Sequence, residues 1–337
     1  MLPSLLKTRY WPQRLAPLAV FFLLFSTTGN EKKKEQTPQS CPNLSISEFT
    51  GFWANFGSIT VLPLLQAAIA CVLPKQSDGI SYGGSEAAVM MFDLDCRFDM
   101  LRFIDVLQLR IHEARARLVE TTKIYSKGDD CVLTSCLKRF FYIRCYSSFH
   151  FLAVLKFQTL HAKVKRLSDA GSCPHLLMID SINAFYWIDR AVSSATSLGA
   201  GVGRTALSVQ VVCEAVVQEL SHILESHPML ILSTKTLIQS LPSTDRITSG
   251  GYEDRNMLVD KDQALIKEGK GRAVLRDFMP AVWQGFVTHR LLLQGPFQPE
   301  SDSLPKECPF FTAEWQIPCL NYVDKFIIHD RGIALTS

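Results

Sequence analysis

The residues with the clearest chemical potential lie in Leu176–Arg190, LLMIDSINAFYWIDR, where an apolar run delivers Asp180 and then Ser181. A run of this kind, bounded by polar residues, suits a strand buried on both faces of a parallel sheet. Open α/β sheets bind ligands at the carboxyl ends of such strands. A carboxylate there can hold the water shell of Mg²⁺ beside a nucleotide. It can equally be a turn residue that closes a core strand. Two further apolar stretches end in the same way. Ala87–Leu94 leads into Asp93 and Asp95, and Met229–Leu232 leads into Ser233, Thr234 and Lys235. Adjacent parallel strands would gather these ends on one rim, where one acid could serve a cation, another could orient water and a polar tip could sense a phosphate. Polar strand ends also arise simply because strands reach solvent.

These ends need elements to hold them. Phe98, Leu101, Ile104 and Leu107 recur at helical spacing, continue to Ile111 and predict an amphipathic helix running to about Val119. Arg139–Cys145 reads as a strand, Ser147–Val164 as a helix and Thr205–Leu224 as a second long amphipathic helix. Leu64–Leu73 is a short apolar helix candidate stopped by Pro74. A further strand lies within Trp283–Leu293, and Phe326–Ile328 with Ile333–Leu335 flank HDRG as a terminal hairpin. Strands alternating with helices predict an α/β fold with a mostly parallel central sheet and antiparallel strands at the carboxyl end. Flexible loops are expected near 121–135, 191–204, 240–277 and 294–318.

Composition narrows the function classes. The 35 basic and 32 acidic residues leave a net charge of +3, so any nucleic-acid surface has to be local. Ten cysteines in 337 residues are too few for a disulfide scaffold, and no pairs stand at zinc-like spacing, so no metal site is expected. The amino terminus points elsewhere. Lys7, Arg9 and Arg14 precede the apolar run Leu15–Phe25, which has the shape of a secretory signal and is short for a bilayer span. Residues 30–50 are polar and read as a disordered linker.

Taken together, CVLPK (71–75), FDLDCRFDMLR (92–102), KRFFYIRC (138–145), LLMIDSINAFYWIDR (176–190), VQELSHIL (217–224), ILSTKTLIQ (231–239), FMPAVWQGFVTHRLLL (278–293) and the terminal hairpin resemble the eukaryotic paralogues of the RecA-type recombinase. The resemblance runs from about Leu64 to Thr336 and implies a RecA-like P-loop NTPase core over 64–337, preceded by a non-homologous segment over 1–63. It places Asp180 at the Walker B acid, with Ser181 after it. It places Asp95 where active recombinases carry a water-activating Glu, one methylene longer. Lys235 falls where they carry a phosphate-sensing amide, whose donor-and-acceptor role an ammonium cannot copy.

The chain departs from that pattern at the phosphate loop. GxxxxGK[ST] is expected just before Leu64–Lys75, and ANFGSITVLPLL stands there instead, without the lysine or a usable glycine pair. Pro63 is expected to interrupt the helix that would present N–H groups to phosphates. The fold is therefore expected to be incomplete at its first strand and phosphate loop, and binding of ATP with Mg²⁺ is an open expectation with the residues against it. Gly199, Gly201 and Gly203 form no phosphate loop, since Arg204 replaces Lys and the spacing is wrong. In a RecA-like fold they fall at the first DNA-facing loop. Arg190 and Arg204 flank this loop, which is either a DNA-backbone contact or a mobile crossover. Phe185, Tyr186 and Trp187 cannot all face one core, and they are candidates for a partner interface. The function these readings imply is a nuclear subunit of a recombinase-paralogue complex. It would assist double-strand break repair and filament assembly and bind single-stranded or branched DNA within that complex. A weak DNA-stimulated ATPase and a secreted or membrane-tethered protein are the alternatives.

Overall fold

In the computed structural model, the structure describes residues 45–51, 57–117, 127–156, 158–169, 174–198, 208–240, 274–295, 310–319, 323–329 and 332–335. The first described element is strand β1 (Ser45–Gly51), followed by helix α1 (Gly57–Val72). A small ribbon, β2 (Gln76–Ser77) with β3 (Ile80–Ser81), leads to β4 (Ala88–Asp93). Next come α2 (Met100–Ala116), α3 (Lys127–Lys138), β5 (Phe140–Arg144), α4 (Ser148–Lys156) and α5 (Gln158–Asp169). The central run contains β6 (Pro174–Asp180), α6 (Tyr186–Leu198), α7 (Val209–Ser226) and β7 (Leu230–Thr236). After β8 (Ile238–Ser240) and β9 (Val274–Arg276) the chain closes with α8 (Ala281–Phe286) and the strands β10 (His289–Gln294), β11 (Phe310–Ile317), β12 (Val323–His329) and β13 (Gly332–Leu335).

Nine strands form one sheet in the order β13-β12-β11-β10-β1-β7-β6-β4-β5. The six from β10 to β5 are parallel, and β11 to β13 add antiparallel ladders. This is the expected α/β class. Successive strand residues face opposite sides, and both sides are covered. Val89, Met91, Leu176, Met178 and Leu232 join the core beneath α1, α2 and α3. Met90, Phe92, Leu177, Ile179 and Ile231 join the core beneath α4, α7 and α8. Two buried faces explain why these strands read as unbroken apolar runs rather than as alternating ones. Caps set two helix starts: the Asp99 carboxylate accepts from Arg102 N at 3.0 Å, and Ser208 Oγ accepts from Val211 N at 3.3 Å.

Several sequence expectations are corrected here. The core starts at Ser45, not at 64. β1 pairs in parallel with β7 over Ser45–Gly51 and with β10 over Ser47–Gly51, so the sheet has its first strand, and 45–50 is not a disordered linker. Helix α1 starts at Gly57 and continues through Pro63, which forfeits one internal hydrogen bond without ending it. Stretches read as loops hold regular structure: α3 lies within 121–135 and beyond it, α6 extends over 191–198, β8 and β9 pair at the two ends of 240–277, and β11 occupies 310–317. The long helix read at 147–164 is two helices, α4 and α5. Leu15–Phe25, Arg204 and the glycines at 199–203 lie outside the described residues. Among the described residues no helix is long and apolar enough to cross a membrane.

Where α1 ends, the chain turns back across it. Ser85 N donates to Ala70 O at 3.0 Å and Glu86 N to Leu73 O at 2.9 Å. A Cβ on Gly84 would stand 2.0 Å from the Leu73 carbonyl oxygen, so only glycine fits this crossing. The crossing aims β4, and with it Asp93 and Asp95, at the rim.

Candidate functional site

Registers bring the acid-bearing strand ends together. Asp93 of β4 pairs with Asp180 of β6 and with Arg144 of β5, and Ile179 pairs with Ser233 of β7. Asp180 is 2% exposed, and its Oδ1 accepts a short hydrogen bond from Thr234 Oγ1. The Asp180–Ser181 peptide is cis. Ser181 Oγ donates to Asp95 Oδ2 at 3.2 Å, and Arg97 Nε stands 3.4 Å from the same oxygen. Asp93 is fully buried and is held by Tyr142 Oη at 2.5 Å and by the backbone N–H of Arg97 at 3.2 Å, with Arg144 at 3.7 Å. Asn183 closes the turn after β6, donating Nδ2 to Thr236 O at 2.8 Å.

Three carboxylates on one rim make ionisation costly. Burial, then the negative charge of Asp95, pushes the Asp180 carboxyl up to about 7. Burial also raises Asp95, opposed by Arg97 and reinforced by Asp93. Tyr142 is pushed up to about 12 by burial and by its hydrogen bond to Asp93. A proton on Asp180 at neutral pH relieves the repulsion. Among the described residues, Asp180 Oδ2 and Asp95 Oδ1 are buried without a hydrogen-bond partner.

Lys235 occupies a different part of the rim. It is 1% exposed and Nζ is 2.6 Å from Asp277 Oδ2. Arg290 of β10 approaches the same oxygen at 3.7 Å, and Asp277 Oδ1 accepts from Met279 N at 3.0 Å. The Asp277 carboxylate, in the segment before α8, thus joins Lys235 of β7 to Arg290 of β10. A buried lysine engaged in this way cannot reach a ligand without breaking an ion pair.

The fit to a nucleotide is poor. The two orphan carboxylate oxygens would suit a cation, but no cluster among the described residues has the ligands to hold a metal. β1 and α1 supply a strand and a helix on either side of 52–56, yet the first lysine after Gly51 is Lys75, beyond α1. Phosphates would find no cation in the loop that should cradle them. The stretch from Gly51 to the end of α1 thus offers no lysine to a triphosphate, whereas the rim offers two unpaired carboxylate oxygens.

The aromatic triplet divides. Phe185 and Tyr186 are half-buried and line a small cleft with Phe151, Val212 and Met279, whereas Trp187 is 48% exposed. Trp187 meets the Phe278 ring edge-on at 5.1 Å, and the Arg190 guanidinium lies 5.6 Å from its ring centre. Asp180, Ser181 and Asp95 are brought together on the rim; Tyr186, Trp187 and Arg190 stand apart on α6, with Phe185 just before it. Sequence reasoning missed Tyr142, Asp277 and Arg290. Tyr142 sits in the apolar run of β5, and Asp277 ends a long polar stretch, so neither carries a local signal.

No protein-family model matches the chain. Over 289 residues it is 34% identical to the DNA repair protein XRCC2 homolog of Arabidopsis thaliana, an alignment covering 79% of this chain and 74% of that protein. Over 226 residues it is 28% identical to the DNA repair protein XRCC2 of Mus musculus, covering 66% of this chain and 63% of the mouse protein.

Proposed function

Because the chain belongs to the XRCC2 family of RecA-type recombinase paralogues, we propose that it serves DNA repair as a non-catalytic subunit of a recombinase-paralogue complex in the nucleus. In homologous recombination it helps assemble or stabilise the recombinase filament at double-strand breaks, meiotic ones included, and meets single-stranded or branched DNA as part of that complex. The observation that carries this reading is Lys235. The cation nearest to a sensor position is buried and committed to Asp277, while the phosphate loop lacks its own lysine. A rim wired to itself supports docking rather than turnover. Arg190 stays a candidate DNA contact because its guanidinium, stacked on an exposed indole, can meet a phosphate or a base.

A weak ATPase is the second reading, favoured by the orphan oxygens of Asp180 and Asp95. Equilibrium binding of a fluorescent ATP analogue with Mg²⁺ separates the two. The subunit reading expects no tight binding and no change in Asp180→Asn. Tight binding that disappears in Asp180→Asn would support the ATPase instead. Co-expression with each RecA-type paralogue of the same organism tests the complex itself, and capture of none of them would overturn it.

A further inference from the structure

Helix α6 is built inside out. Its half-buried side holds Tyr186, Asp189 and Ser193, and Ser193 Oγ donates to the Asp189 carbonyl at 2.9 Å. Its outward side holds Trp187 at 48% exposure, Ile188 at 62%, Ala191 and Val192 at 53%. At 100° per residue these four fall within one stripe along the helix. An amphipathic helix that served only its own core would turn this stripe inward. On α7, Val209 and Val212 line the cleft that adjoins the base of α6, together with Phe185 and Tyr186.

We infer that the outward face of α6 is the docking surface for a partner protein's amphipathic helix, seated along Trp187, Ile188 and Val192 with an acidic residue beside Arg190. This rests on the subunit reading above and names the surface through which it acts. Two observations choose this occupant. The first is area. Trp187, Ile188 and Val192 together leave on the order of 350 Å² of apolar surface exposed, less than half of the ~800 Å² each partner gives to a standard interface. That is scant for a second copy of this chain but adequate for one helix, whose ridge can also lower a side chain into the neighbouring cleft. The second is charge. Asp189 is on the inner side of α6, and the charged group at the outer edge is Arg190, held over Trp187. On α7, Glu214 is already engaged by Gln210 Nε2 at 2.7 Å. A cationic edge beside an aliphatic stripe suits a helix with carboxylates along its flank.

The test uses the full chain co-expressed with each RecA-type paralogue of the same organism. Ile188→Glu with Val192→Glu is expected to cut paralogue capture at least about 10-fold. Ile188→Leu with Val192→Leu should hold it within about threefold, as should Leu101→Glu, a still more exposed apolar site on α2. Hydrogen exchange on the captured paralogue is expected to show protection confined to one acid-edged helical segment. Undiminished capture by the double Glu variant overturns the inference and leaves the subunit reading standing. Capture of no paralogue by the wild type overturns both. Three further results overturn the inference alone: a dimer of the free chain that the double Glu variant dissociates, loss of fluorescein-labelled oligo(dT) binding with capture intact, or protection on a strand or loop of the paralogue.

Discussion

The rim of the sheet and the outer face of α6 break the same rule in opposite directions. On the rim, Asp93, Asp180, Thr234 and Lys235 are buried polar groups in a setting that favours apolar ones. On α6, Trp187, Ile188 and Val192 are exposed apolar groups in a setting that favours polar ones. The rim resolves most of its anomaly internally: Thr234 serves Asp180 Oδ1, Tyr142 serves Asp93 and Asp277 serves Lys235, while Asp180 Oδ2 and Asp95 Oδ1 are left without a hydrogen bond among the described residues. The α6 stripe stays largely exposed: Ile188 at 62%, Val192 at 53%, and Trp187 at 48% although it meets Phe278. A rim held mostly by its own pairs, next to an exposed apolar helix face, is the contrast that the proposed docking role expects.

If the rim is held by its own pairs, breaking one should be costly. Lys235→Met removes the cation from a buried pair and leaves Asp277 in poor company, so a loss of about 3 kcal/mol in urea unfolding is expected. A change below about 1 kcal/mol would mean the pair is not what secures this end of the rim. Tyr142→Phe strips a donor from fully buried Asp93 and should cost about 2 kcal/mol by the same assay. Asp180 gives a pH signature. Its folded pKa of about 7 lies above the ordinary carboxylate value, so the folded chain holds a proton that the unfolded chain has released. That stabilisation is present at low pH and is lost as pH rises from about 4 to about 7, and raised Asp95 adds in the same direction. Asp180→Asn should gain on the order of 2 kcal/mol over wild type near pH 8 and little near pH 4. Equal gains at both pH values would contradict the shared-rim account. The smallest effect belongs to α6. Ile188→Ser should move the unfolding midpoint by no more than about 0.5 kcal/mol, because the side chain is already in water. A loss above about 2 kcal/mol would place Ile188 in the core and erase the contrast.

Much of this is legible in the residues themselves. β4, β6 and β7 announce themselves because both faces are buried, so every position in Val89–Phe92 and Leu176–Ile179 is apolar. The acids at their ends follow from the run stopping. β1 is not legible, because SISEFTG holds only two large apolar residues, Ile46 and Phe49, without strand alternation, and becomes a central strand through its partners β7 and β10. Helix α3 hides in a polar stretch because few of its residues, Val132 and Cys136 among them, touch the core. Lys235 can be read as a strand-end cation, but its partner Asp277 lies 42 residues on, and local pattern does not span that distance. The stripe on α6 is visible as periodicity. Which side it faces depends on α7 and the cleft, which the sequence does not display.

The central claim is that this XRCC2-family chain works by being docked, with its rim out of the nucleotide cycle. The most direct measurement is the yield of the paralogue complex, purified with nuclease treatment, for wild type and Asp180→Asn with and without Mg²⁺-ATP. The account predicts equal yields in all four arms. A complex that forms only with nucleotide, or that Asp180→Asn abolishes while the free variant stays folded, would contradict it.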